Sequence, residues 1–411
     1  MRFMPTATPS SNSMAPAQSG NANVIGAPPP RQRGWKDLAV QGLFRTGAVR
    51  LLGKLGSSYE LNRATPRSLP LLRRPRTSRL AVLCYHRIGL GGIPFYSQLA
   101  AAEFEAQMRF LRKHHRVISL DQLVLEMESP TTLEPAVAVT FDDGYQGLFS
   151  EAFPILQAYR IPATVFLISG AIESGEVCWY DRVFLALLAA PYDSIELEMD
   201  RVRRFALRSP DSRMRAAVSI ITFLRTLDTV RRKAVCSRLE SKVKLPEQEL
   251  HGRMLNWEQI RVMKRGGIDF GAHTVSHPIV SRLTSVELQH ELRESKRVIE
   301  ERMDTPVHHF AFPFGKLEEC GESAKAVLRS TGYRSASTTV WGLNTQGTHP
   351  YNLKRVQIGE LGSLARFAFE LNRLFLLGTN QEDSAPVPSV AFANGNPEFV
   401  AKQRDWEKQD A

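Results

Sequence analysis

Two adjacent carboxylates, Asp142 and Asp143, close the run Val139-Thr140-Phe141, and two histidines four residues apart, His273 and His277, end a second run that starts at Gly271. Two neutral imidazoles and one carboxylate form a three-ligand set for a divalent ion, with positions left for water and substrate. The remaining carboxylate is then free to act as a base. This is the donor set of a metal-assisted hydrolase centre. Zinc suits it first, with nickel, cobalt or iron as alternatives.

The elements around these residues decide whether they can meet. Ala136 to Phe141 is predicted as a buried strand, because five of its six residues are apolar and Val and Thr favour pleated backbone. Successive strand residues face opposite ways, so Asp142 and Asp143 share one site only if the chain turns there, which Gly144 permits. The spacing of His273 and His277 predicts one face of a helical turn, with Thr274 tying its backbone. Strand and helix alternate elsewhere: a strand from Leu80 to Tyr85 with His86 at its end, an amphipathic helix over 102–115, and a helix through Phe153, Leu156 and Tyr159. Later come a strand over 163–168, a helix over 257–265 behind an Asn256 cap, a long helix from Ser285, and strands near 308–312, 333–337 and 353–358. From 173 to 252 the rhythm breaks into a charged stretch read as helices. Without it about 220 residues remain, the size of a closed β/α barrel. The predicted fold is α/β, a distorted (β/α) barrel of seven or eight strands, divided as 77–172 and 253–377 around a helical insertion at 173–252.

The runs T-F-D-D-G at 140–144 and H-T-x-x-H at 273–277, with Phe310-Ala311-Phe312-Pro313-Phe314-Gly315, resemble the three motifs of NodB-like polysaccharide deacetylases, in the variant seen in biofilm-polysaccharide deacetylases. The resemblance covers roughly residues 80–358. It implies Asp143, His273 and His277 as metal ligands, Asp142 as general base and the Phe314 backbone N–H as oxyanion donor. Tyr145 and Pro313, inside the motifs, are expected at the substrate. Two departures stand out. Many relatives open the third motif with an arginine that steadies the base, where this chain has Phe312. Many also carry a late histidine as general acid, which the stretch Leu353-Lys354-Arg355-Val356-Gln357-Ile358 lacks. In relatives with the Phe-Pro-Phe-Gly motif, a Tyr-His at the end of the first strand supplies the acid, which makes His86 the candidate here. Arg355 is assigned to the substrate or to orienting a carboxylate in place of the missing arginine, with a surface charge as the equal alternative. Trp179, beside Tyr180 and Asp181, either stacks on a sugar ring or packs the insertion. Cys84 shares a strand face with His86, so a thiol nucleophile is an alternative, but core filling explains it more simply.

Charge and composition bound the rest. Residues 1–80 carry thirteen Arg and Lys against Asp37 and Glu60, an excess equal to that of the whole chain, +11. The catalytic body is therefore neutral, and nucleic acid is not an expected partner. Residues 1–34 are rich in Pro, Ser, Ala, Asn and Gly, so 1–76 is read as a disordered basic arm and 378–411 as a disordered tail. Residues 35–55 interleave Leu38, Leu43, Phe44, Val49, Leu51, Leu52 and Leu55 with Arg45, Arg50 and Lys54. That pattern is compatible with an amphipathic helix on an anionic membrane face, or with a helix packed on the enzyme. No secretory signal or membrane span is read, and the expected location is cytoplasmic or peripheral at the membrane. Four scattered cysteines without a C-x-x-C pair fit reduced thiols. The expected function is metal-dependent removal of N-acetyl groups from an amino-sugar polysaccharide or glycan intermediate. The alternatives are an amidohydrolase on a non-sugar amide, a silent carbohydrate-binding barrel, and a membrane-docked interaction protein.

Overall fold

The computed structural model describes residues 79–89, 98–129, 134–359 and 363–377. The basic arm, its 35–55 stretch and the 378–411 tail lie outside these residues. Among the described residues no helix is long and apolar enough to cross a membrane.

The chain begins with β1 (Leu80–Tyr85), the short pair β2 (Arg87–Ile88) and β3 (Gln98–Leu99), α1 (Ala101–His114), β4 (Arg116–Val117) and α2 (Leu120–Glu128). Next come β5 (Ala136–Phe141), a wide turn over 148–152, α3 (Phe153–Tyr159), β6 (Ala163–Leu167) and α4 (Ser169–Ser174). The intervening segment holds α5 (Trp179–Ala189), β7 (Ser194–Glu198), β8 (Val202–Ala206), α6 (Pro210–Leu224) and α7 (Thr229–Val243). The final part runs through α8 (Trp257–Arg265), β9 (Ile268–Ala272), α9 (Ser285–Met303), β10 (His309–Ala311), α10 (Leu317–Cys320), α11 (Glu322–Ser330), β11 (Ser335–Trp341), β12 (Leu353–Gln357) and α12 (Leu364–Leu377).

Seven parallel strands close a barrel in the order β1-β12-β11-β10-β9-β6-β5 and back to β1, and β4 adds to the start of β5 as an eighth. Every residue of β1, β5 and β6 is buried, as parallel strands covered on both faces require. Helices start where the sequence supplies caps. Asn256 and Gln259 form a capping box on α8, and Thr284 and Glu287 form another on α9. Leu288, Leu292 and Ile299 of α9 then face the core. At the other end of the chain α12 docks on α1, with Phe367 against Phe110 and Phe375 stacked on His115.

Two local expectations are corrected. The segment between α4 and α8 is not purely helical: β7 and β8 form an antiparallel hairpin in full register from Ser194↔Ala206 to Glu198↔Val202. The alternation Ser194-Ile195-Glu196-Leu197-Glu198 has a period of two and buries Ile195 and Leu197 only. Residues 273–277 are not a helical turn either. Thr274 and His277 have φ of 67° and 55°, so the loop after β9 winds left-handed and brings its histidines together by that route.

Candidate active site

Strand register sets the site. β1 and β5 pair from Leu80↔Ala136 through Tyr85↔Phe141, so the next residues, His86 and Asp142, emerge side by side. The Asp142 N–H donates to the Tyr85 carbonyl at 2.9 Å, and His86 Nε2 lies 3.9 Å from Asp142 Oδ2. On the far side of β6, Leu167 pairs with Ala272, which delivers His273 to the same rim. Asp143 turns into line because its φ is 74°, followed by Gly144 at 87°. A side chain at Gly144 would meet Leu167 Cδ2 at 2.9 Å, so both its conformation and its space demand glycine.

Asp143, His273 and His277 come together as the resemblance implies. Asp143 Oδ1 is 3.5 Å from His273 Nε2 and 3.6 Å from His277 Nε2, and all three side chains are buried. His273 Nδ1 lies 2.7 Å from the Ala311 carbonyl, which can only accept, so the ring proton belongs on Nδ1 and the Nε2 lone pair faces Asp143. Asp143 Oδ1 has no hydrogen-bond donor among the described residues. Lone pairs converging on a buried oxygen repel one another unless a cation lies among them. Burial, reinforced by the charges of Asp142 and Asp181, pushes the Asp143 carboxyl up to about 8. Burial also lowers both imidazoles, His277 well below its ordinary value. The residues thus fit a divalent ion: two neutral nitrogen donors and an oxygen that ionises fully only beside positive charge.

Asp142 is treated differently. Burial alone would raise its carboxyl, but Arg355 outweighs that and holds it well below the usual carboxylate range. The guanidinium forks onto both oxygens at 2.7 Å each, while Nε donates to the Thr338 carbonyl at 2.7 Å. Arg355 is fully buried, so neither the surface-charge reading nor a direct substrate contact stands. It comes from β12 and pairs with the carboxylate beside the candidate metal ligands. Cys84 Sγ lies 3.5 Å from Asp142 Oδ2, and burial raises its thiol well above the ordinary value, so it remains a thiol rather than a nucleophile. The His86 side chain is 30% exposed, yet walls on its other sides lower it to about 4, against the opposing pull of Asp142.

Phe314 has a φ of 61°, and its N–H finds no acceptor among the described residues. Its carbonyl accepts from Thr339 Oγ1 at 2.6 Å, and its ring packs edge-on against His277 with centroids 4.9 Å apart. Pro313 is buried in the same turn, where its carbonyl takes the Gly315 N–H at 2.6 Å. Trp179 is partly buried and donates from Nε1 to the His277 carbonyl at 3.2 Å, so its polar atom braces the histidine loop. Tyr145 is buried, and its hydroxyl donates to Asp181 Oδ2 at 2.9 Å. Its assignment to the substrate is therefore corrected: its polar atom serves the wall of the site.

Several positioning residues escaped sequence reasoning. Asp181 also takes Arg87 at 2.5 Å, and that guanidinium lies 3.9 Å over the Tyr145 ring, so the residue after His86 is locked to the first motif and to α5. Glu291 accepts from the Val275 and Ser276 N–H groups at 2.7 and 3.0 Å and from Ser276 Oγ at 2.5 Å, fixing the histidine loop. Its signal is present in the sequence, since it falls beside Leu288 and Leu292 on a stripe that should be apolar. Arg87 and Asp181 are 94 residues apart and carry no such signal.

A sequence model described as polysaccharide deacetylase matches residues 129–336, half of the chain. The putative polysaccharide deacetylase YxkH of Bacillus subtilis is 21% identical over 289 residues, covering 70% of this chain and 74% of that protein. The poly-beta-1,6-N-acetyl-D-glucosamine N-deacetylase of Staphylococcus epidermidis is 36% identical over 73 residues, which span 18% of this chain and only 25% of that enzyme. Among solved structures, IcaB from Ammonifex degensii aligns with a TM-score of 0.46 at 19% identity, covering 71% of this chain and 97% of that one. The matched span runs from the end of α2 to the start of β11 and takes in Asp142, Asp143, His273, His277 and Phe314: the chain belongs to the polysaccharide deacetylase family and is a hydrolase of that class.

Proposed function

We propose that the protein hydrolyses the acetamido group of an N-acetylated amino-sugar glycan, with a divalent ion held by Asp143, His273 and His277. The observation that carries this reading is the convergence of two unlike carboxylates: Asp143 Oδ1 lies 3.5 and 3.6 Å from two imidazole nitrogens, and Asp142 beside it takes the Arg355 fork at 2.7 Å on each oxygen. When bound, the ion supplies Lewis acidity and makes water a stronger acid near neutral pH. Asp142, oriented by the Arg355 fork, takes the proton of the attacking water. The Phe314 N–H donates to the oxygen that gains charge as the carbonyl carbon becomes tetrahedral, a contact whose removal typically costs ~3 kcal/mol. His86, neutral at rest and 3.9 Å from Asp142, receives that proton and delivers it to the departing nitrogen, so acetate and a free amine leave. The nitrogen-rich donor set favours zinc, with nickel, cobalt or iron as alternatives.

The substrate class is tested by incubating the metal-loaded full chain with a panel of N-acetylated oligosaccharides, a lipid-linked N-acetyl glycan and simple non-sugar acetamides, with acetate as readout. Release from the glycans and not from the simple amides is expected. Release from the simple amides alone sinks the glycan assignment.

A further inference from the structure

The segment between α4 and α8 reaches the third motif through Trp179, whose ring centroid lies 6.4 Å from that of Phe314, and through Arg225. Arg225 caps the C-terminus of α6, and its guanidinium carbon lies 4.3 Å over the centre of the Phe314 ring. The same guanidinium pairs with Glu319 of α10, five residues beyond Phe314, in a contact where both side chains are largely buried. Arg282, after the histidine loop, donates to the Arg225 carbonyl at 3.1 Å and so ties the arginine's backbone to that loop. The Phe314 ring is thereby enclosed by Arg225 over its face and by His277 at 4.9 Å.

This enclosure bears on a strained residue. Phe314 is bulky and left-handed, a conformation that disfavours any side chain, and a cation over an aromatic face contributes stabilisation of the same order as that penalty. Thr339 fixes the Phe314 carbonyl, and the Gly315 N–H, donated to the Pro313 carbonyl at 2.6 Å, closes a turn across Phe314, so rotation about the Phe314 N–Cα bond would re-aim its N–H and break that turn. A clamp on the ring opposes such a rotation, because the ring and the N–H share one Cα. From this we infer that Arg225 is a positioning residue for the deacetylation step: it holds Phe314 in the left-handed conformation that presents its N–H to the developing oxyanion. The inference rests on the reading of Phe314 as oxyanion donor. It makes the segment between α4 and α8 part of the hydrolytic machinery rather than an appendage.

The test uses the metal-loaded full chain on whichever N-acetylated oligosaccharide the wild type turns over best. Arg225→Met keeps the stem and removes the planar cation, and should lower kcat roughly 10- to 100-fold, short of the full loss of an oxyanion donor. Metal content should hold and KM should change less than about twofold, since the contact matters in the transition state, while the thermal midpoint falls because Glu319 loses its largely buried partner. Arg225→Lys should recover part of kcat. In a Phe314→Ala background, Arg225→Met should cost almost nothing more, because the ring it acts through is gone. If Arg225→Met loses its fold, Glu319→Gln releases the same guanidinium from its anchor and should lower kcat several-fold at constant KM. An unchanged kcat in the folded variant, or an equal loss with and without the Phe314 ring, overturns the inference while leaving the hydrolase reading intact. Absence of acetate release by the wild type itself would instead count against that reading.

Discussion

At the C-terminal ends of the strands, Asp142, Arg355 and His86 crowd beside Asp143, His273 and His277; at the strand starts, Asp121, Arg334 and His309 crowd beside Ser335. The second cluster even has the order of a nucleophilic triad, with Ser335 Oγ 2.9 Å from His309 Nδ1 and His309 Nε2 3.4 Å from Asp121 Oδ1. Ser335 is nevertheless sealed from solvent, and the cluster joins α2 to the first residues of β10 and β11. Backbone conformation separates the two ends. Of the non-glycine residues with positive φ, Asp143, Thr274, His277 and Phe314 lie at the rim, whereas Arg160, Lys244 and Asp304 are helix C-caps. Left-handed residues cost roughly 1–2 kcal/mol each. Their gathering at one end shows where aim was favoured over relaxation, and residue types alone do not reveal it.

The largest effect that separates the ends concerns proton delivery. His86→Ala should keep its metal and lose turnover by roughly 10²- to 10⁴-fold, because an amine leaves poorly without a proton and the β12 stretch offers no histidine. Unchanged turnover across the pH range would show that another group protonates the amine. A smaller contrast concerns stability. Arg355→Met leaves the Asp142 charge buried without its partner and should cost about 3–5 kcal/mol in denaturant unfolding, whereas His309→Gln should cost about 1 kcal/mol. Burial holds His309 below its ordinary value, so the unfolded chain binds its proton more readily than the fold does. That contribution is complete above about pH 6.5 and is lost as pH falls through the lower folded value, at up to about 1.4 kcal/mol per pH unit. His309→Gln should therefore flatten the acid side of the stability profile; an unaltered slope would place the proton uptake elsewhere.

Much of the barrel was legible in local chemistry. β1 and β5 match their apolar runs residue for residue, and α8 begins at the Asn256 cap. Asp143, His273 and His277 could be named as candidate ligands because each sits in a short run, but the carboxylate is far from the histidines along the chain and only the barrel brings the three together. The Arg355–Asp142 fork was not, because it spans 213 residues and exists only once β12 closes against β1. Arg355 and His86 also lie outside the span matched by the family, so the parts of the site that depart from the commoner pattern come from the strands that close the ring. The left-handed path of residues 273–277 was hidden for a related reason. It is stabilised by Glu291 from α9 and by Thr274 Oγ1, which accepts the His277 N–H at 3.0 Å, while the i,i+4 spacing by itself favours a helix.

Metal content and acetate release, measured together on wild type, Asp142→Asn and His273→Ala, address the division of labour between the two carboxylates most directly. Chelation should abolish wild-type turnover and a divalent ion should restore it. Asp142→Asn should bind the ion normally and release acetate at least about 100-fold more slowly, whereas His273→Ala should lose both ion and turnover. Full activity in metal-free wild type, or equal loss of metal in both variants, would contradict a site in which Asp143 and the histidines hold the ion while Asp142 moves the proton.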